Sequence, residues 1–160
     1  EDVDINQNLS IRDTLKSARG LDKIEEQMSS CEEKFSDPKE GESSLALYGE
    51  LMEQYQELGG YSSDSDMERV LAGLGIDKNN TANITLDTKL SDVSSGQLRK
   101  ILIAKALYSK AEIILLDEPS SHLDVHSVQW LSNYLNNTDS AVVITSNDST
   151  LVDNCARQTV

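Results

Sequence analysis

The chain has 160 residues, 38% of them hydrophobic, and no apolar run nears the roughly 20 residues of a bilayer crossing, so one modest core and no transmembrane segment are expected. The net charge of −14 is lopsided: residues 1–68 hold 18 acids against 6 bases, so this half repels bare nucleic acid and direct DNA binding is not expected. Cys31 and Cys155 stand far apart without a second thiol or paired histidine, so neither a disulfide framework nor a zinc site is suggested.

The chain opens on Glu1 without signal-peptide character and closes on "RQTV", which reads as the start of a strand. A piece of a longer protein is expected. Five Asn-x-Ser/Thr triplets, beginning at Asn8, Asn79, Asn83, Asn136 and Asn147, matter only in a secreted chain and are read as chance.

Ser10, with Asp13 three residues on, is placed to cap a first helix that Gly20 ends. Leu21, Ile24, Met28, Cys31 and Phe35 then follow at spacings of 3 and 4, the seam of a helix packed lengthwise on a partner. "SDPKEGE" breaks the pattern, and Tyr48, Leu51, Tyr55 and Leu58 resume it, which predicts an antiparallel helical hairpin ended by Gly59 and Gly60. Ser65 and Glu68 have capping-box spacing before the stripe Met67, Val70, Leu71 and Leu74, closed by Gly75. Residues 77–92 are rich in Asn, Thr and Asp and read as a connector.

Leu98, Ile101, Leu102 and Ala106 mark the next helix, widened by Ile103 and Leu107 and beginning near Gln97. "EIILLDE" is a short continuous apolar run, as in a buried parallel strand, and "AVVIT" (141–145) is a second. The helix between them, Val128 to Leu135, makes a strand, helix, strand unit and hence an α/β layer. The expected division is a helical part, 1–92, and an α/β part, 93–160.

Asp117 and Glu118 fall at the carboxyl end of the first strand, where open α/β sheets bind ligands. One carboxylate there suits Mg²⁺, which prefers few carboxylates together with phosphate oxygens and water, and its neighbour suits a general base acting on water. Upstream, "SSGQ" (Ser94, Ser95, Gly96, Gln97) opens a helix, so backbone N–H groups, a hydroxyl and the positive helix end converge on a place for an anion. Gly96 lets such an anion approach the backbone closely.

In this order and spacing, "VSSGQ", "IILLDE" and "SHLD" (Ser121 to Asp124) resemble the signature, Walker B strand and D-loop of the nucleotide-binding domain of ABC ATPases. The resemblance covers about 87–160 well and the first part by position, as the helical subdomain inserted between Q-loop and signature. It implies an α/β fold: a partial P-loop NTPase of the ABC type, helical subdomain plus the C-terminal part of the parallel-sheet core. It further implies that Asp117 supports Mg²⁺, Glu118 activates water and Asp124 organises the contact with a partner domain. Ser94, Ser95, Gly96 and Gln97 would meet the γ-phosphate of an ATP held by a second nucleotide-binding domain, in the same chain or a dimer.

Three departures matter. Ser95 replaces the first Gly of the usual Leu-Ser-Gly-Gly-Gln signature, and Asn147, in "TSND", takes the place of the switch histidine. Asn donates a hydrogen bond but carries no titratable proton, so slow hydrolysis is expected at this site. No Gly-x-x-x-x-Gly-Lys-Ser/Thr occurs, so the loop that cradles the β- and γ-phosphates is absent and the isolated chain is not expected to hydrolyse ATP. Aligned by the family, Glu1 falls just after the Q-loop.

"DEPSSHLD", "VQWLSNYLNN" and "DSTLVDNCA" are most similar to the ABC-F and elongation-factor-3-like soluble tandem cassette proteins. That resemblance implies ATP-driven work on the ribosome in the cytoplasm. The alternatives are the cassette of a membrane transporter and a degenerate regulatory cassette.

Overall fold

The computed structural model describes residues 6–77 and 84–155. The expectations for Glu1, for "RQTV" and for the triplets at Asn79 and Asn83 lie outside the described residues.

Ser10 has extended backbone, and its hydroxyl accepts the Asp13 N–H, so α1 (Ile11–Arg19) starts where capping chemistry predicts. Gly20, at φ 72°, ends α1 and opens α2 (Leu21–Lys34) directly. α3 (Gly41–Glu57) runs back along α2: Tyr48 donates to Glu32 at 2.9 Å and Tyr55 to Glu25 at 2.8 Å, pairings that only an antiparallel hairpin allows. Ile24, Cys31 and Leu51, flanked by Met28, Tyr48 and Tyr55, form a small core of its own inside this hairpin.

Ser65 and Glu68 do not form the expected capping box. The chain turns at Gly59 (φ 72°) into a 3-10 turn, Gly60–Ser62, from which α4 (Ser63–Gly73) grows without a side-chain cap. Ser65 is already inside α4 and donates to the Ser62 carbonyl at 2.9 Å. A preformed 3-10 turn supplies the helix start, so the cap is not needed. At the other end Gly75 (φ 77°) closes α4 as expected: its N–H reaches Ala72 O and the Ile76 N–H reaches Leu71 O, both at 2.9 Å, a Schellman arrangement.

The described part of the connector is more ordered than its composition suggests. Leu86 and Leu90 are buried, a 3-10 turn spans Leu90–Asp92, and Lys89 bridges Ser10 in antiparallel fashion. The cause is the exposed start of α1, whose first N–H groups lack intrahelical acceptors. Ile11 N–H takes the Thr88 carbonyl at 2.9 Å and Arg12 N–H that of Leu86 at 2.8 Å.

α5 (Ser95–Tyr108) begins two residues before Gln97 and buries Ile101, Ala104, Leu107 and Tyr108. β1 (Ile113–Asp117), α6 (Val125–Asn136), β2 (Ala141–Thr145) and α7 (Ser149–Cys155) follow. The strands pair in parallel, with Ile113 opposite Ala141 and Asp117 opposite Thr145. Neither strand is buried on both faces: Ile114 and Leu116 enter the core, whereas Ile113 and Leu115 are 63% and 71% exposed and β2 is at most half-buried. An apolar run announces hydrophobic side chains on both faces but not what covers each one.

One main core joins α1, α4, α5, β1, α6 and α7 through residues such as Leu15, Leu74, Ile101, Ile114, Leu131 and Leu151, and so runs across position 92. Arg19, whose side chain is almost wholly enclosed, ties the root of the hairpin to it. Its guanidinium lies 3.6 Å above the Tyr108 ring, and it donates to Tyr108 O at 2.6 Å, Asp66 at 3.3 Å and Leu58 O at 3.4 Å. The fold is thus α/β, helices against a parallel pair of strands.

Candidate functional site

The parallel register brings the end of β2 beside the two acids that close β1. The Thr145 hydroxyl donates to Asp117 Oδ1, and the Thr145 carbonyl accepts the Glu118 N–H at 2.8 Å. Glu118 sits at φ 45°, a region a residue with a Cβ rarely occupies and one that concentrates at functional sites. Its Oε1 takes two donors from one residue, Asn147 Nδ2 at 2.7 Å and Asn147 N–H at 3.0 Å. Among the described residues Asp117 Oδ2 and Glu118 Oε2 take no hydrogen bond, so each acid is held by one oxygen and offers the other.

That donor set suits the ligands implied. No group of three or more His, Cys, Asp or Glu among the described residues would hold a metal by itself. A single open carboxylate oxygen on exposed Asp117 matches Mg²⁺, which takes most of its shell from water and phosphate.

The signature turn is built separately. Ser94 is the N-cap of α5 in a complete capping box: its hydroxyl accepts the Gln97 N–H at 3.2 Å, and Gln97 Oε1 accepts the Ser94 N–H at 2.8 Å. Ser94 and Gln97 thereby support each other. The N–H groups of Ser95 and Gly96, in the first turn of the helix, have no intrahelical acceptor. A Cβ on Gly96 would meet nothing within 4 Å, and Gly96 lacks the left-handed φ that marks Gly20, Gly59 and Gly75. The fold of this chain therefore does not itself require a glycine there.

Asp124 lies elsewhere, as the N-cap of α6, accepting the Ser127 N–H at 2.9 Å. That bond holds its carboxyl below the usual carboxylate range, with Ser127 Oγ and Lys100, at 4.0 Å, adding to the effect. A cleft lined by Gly73, Gly75, Asp77, His126 and Trp130 opens beside it. The structure thus brings Asp117, Glu118 and Asn147 into one cluster and Ser94, Ser95, Gly96 and Gln97 into another. No hydrogen bond among the described residues joins the two.

Two contacts lie beyond the sequence reading. Thr145 is recoverable from the sequence by aligning the two strand ends. Arg99, hydrogen-bonded to His122 Nε2 at 2.7 Å across the turn after β1, carries no local signal because the two are 23 positions apart. His122 is in left-handed backbone, φ 75°.

Comparison with known proteins identifies the family. The family described as ABC transporter matches residues 2–121, and the chain belongs to it, as an ATP-binding domain of ABC type. Among individual proteins, the chain is 37% identical to the uncharacterized ABC transporter ATP-binding protein YfmM of Bacillus subtilis, over 87% of this chain and 26% of that protein. It is 31% identical to the ATP-binding protein Uup of Escherichia coli, covering 79% of this chain and 18% of Uup. With the energy-dependent translational throttle protein EttA of Escherichia coli the identity is 31%, over 76% of this chain and 21% of EttA. These relatives agree with the ABC-F resemblance. The chain spans about a quarter or less of their lengths. No helix among the described residues is long and apolar enough to cross a membrane.

Proposed function

We propose that this chain supplies parts of the composite ATP-hydrolysing sites of a soluble, cytoplasmic ABC-F-like protein that works on the ribosome. The observation that carries the reading is the pair of acids at the end of β1, each held through one oxygen and open at the other. In this reading Asp117 supports the Mg²⁺ of MgATP, and Glu118 Oε2 takes a proton from the attacking water while Asn147 keeps the carboxylate turned toward it. Ser94, Ser95, Gly96 and Gln97 present hydroxyl and N–H donors to the γ-phosphate of an ATP held by a second nucleotide-binding domain, and Asp124 orders the contact between the domains. The chain contains no phosphate-cradling loop, so alone it binds ATP weakly and does not turn it over.

The test is Glu118→Gln in the intact protein with its second domain. Turnover falls by about a hundredfold or more, the domains stay closed on ATP, and the complex sediments with ribosomes in its own cell lysate. Unchanged turnover removes Glu118 from this role. Sedimentation with membranes moves the protein to a transporter.

Neutral Asn147 at the switch position favours a second reading, a regulatory cassette that binds nucleotide with little hydrolysis. It predicts that Asn147→His raises steady-state turnover. If the natural protein already turns over at full rate and the His variant gains nothing, the regulatory reading is dropped.

A further inference from the structure

We infer that Thr145 is a positioning residue for the paired acids, holding Asp117 so that its second carboxylate oxygen faces a divalent cation. The inference rests on the reading above, in which Asp117 supports the metal.

Among the described residues, Thr145 is the one that hydrogen-bonds to both acids through different groups. Its hydroxyl donates to Asp117 Oδ1, and its carbonyl accepts the Glu118 N–H at 2.8 Å. The parallel register sets these contacts, since Asp117 and Thr145 are paired positions. Asp117 is exposed and makes no ion pair among the described residues, so the Thr145 hydroxyl is what fixes the plane of its carboxylate. An exposed aspartate otherwise spreads over its rotamers. A threonine suits the task because branching at Cβ restricts χ1 and presets the aim of the hydroxyl.

Asn147, two residues further on, does for Glu118 what Thr145 does for Asp117. The exit of β2 thus fixes one oxygen on each of two adjacent acids. Partners of this kind orient a metal ligand, and their loss typically costs about 10–100-fold in metal affinity.

Were Thr145 merely a strand former, valine would replace it without loss, because Val keeps the shape, the β-branch and the backbone carbonyl. The experiment compares Thr145→Val, Thr145→Ser and Asp117→Asn in the intact protein with its second domain. Mn²⁺ binding in the presence of ATP is read by electron paramagnetic resonance, and ATP turnover is followed against Mg²⁺ concentration.

The expected result is that Thr145→Val weakens Mn²⁺ binding and raises the half-saturating Mg²⁺ by about tenfold or more, with a metal-free melting temperature like the parent's. Thr145→Ser, which restores the donor, restores binding. If Thr145→Val binds Mn²⁺ as the parent does while Asp117→Asn abolishes binding, the positioning role is overturned and the role of Asp117 stands. If Asp117→Asn also leaves Mn²⁺ binding unchanged, the metal reading of Asp117 falls, and the inference with it.

Discussion

A Cβ on Gly73 would lie 2.0 Å from the Trp130 ring, whereas one on Gly96 would meet nothing within 4 Å. The first glycine is required by the contact of α4 with α6, the second by nothing inside this chain. Gly73→Ala should therefore destabilise the fold by about 1–3 kcal/mol through overpacking, measured by denaturant unfolding. Gly96→Ala should leave stability unchanged or raise it by up to about 1 kcal/mol, as alanine is the better helix former. In the intact protein the same Gly96→Ala should cut ATP turnover, because the added methyl faces the place proposed for phosphate. Normal turnover with Ala at 96 would remove the signature turn from the site.

At the scale of elements the hairpin of α2 and α3 stands apart. Its core is only Ile24, Cys31 and Leu51 with their flanking side chains, and Gly20 and Gly59, both at φ 72°, mark where it leaves and rejoins the rest. Leu51→Ala should cost near the low end of the ~2–5 kcal/mol range for such truncations. The loss should be local: hydrogen exchange should accelerate in α2 and α3 while amides of α5 and α6 keep their protection. Uniform acceleration would show that the hairpin and the main core unfold as one.

Tyr55 adds a pH dependence to this hairpin. Burial, then the hydrogen bond to Glu25, pushes its phenol up to about 12. In the unfolded chain a phenol ionises at about 10, so the folded state holds the proton more tightly. Its contribution is therefore complete below about pH 10 and is lost as pH rises toward about 12. Helical circular dichroism followed through this range should fall less steeply in Tyr55→Phe, which has no proton to lose; identical curves would place the alkaline loss elsewhere.

For the whole molecule one face of the sheet matters, because it is apolar and exposed. Ile113, Leu115 and Val143 are 63%, 71% and 56% exposed, side by side on a two-stranded parallel sheet. Apolar surface of this kind drives association. The 160-residue chain should self-associate with rising concentration in analytical ultracentrifugation, and Leu115→Lys with Val143→Lys should return it to a monomer with unchanged helical content. A parent chain that stays monomeric throughout would show that this face is tolerated in water.

Much of the molecule is legible in the sequence through local chemistry. The Ser10 cap, the Gly20 and Gly75 ends, the hairpin seam and the order of signature, strand and D-loop all follow from contacts within about four residues or from strict spacing. The family follows from the same motifs.

The start of α4 departs from the capping pattern because a 3-10 turn built on Gly59 replaces the side-chain cap. The ordering of the connector at Leu86 and Leu90 has no local signal because its acceptors serve the start of α1, distant in sequence. Which face of β1 is covered, and that Thr145 and Asn147 each hold one oxygen of a neighbouring acid, depend on strand register between segments 28 positions or more apart. Sequence alone determined the family and where most elements begin and end, because capping and motif spacing are local. Only the tertiary structure decided how those residues are aimed, because register and burial are set by what the rest of the chain packs against them.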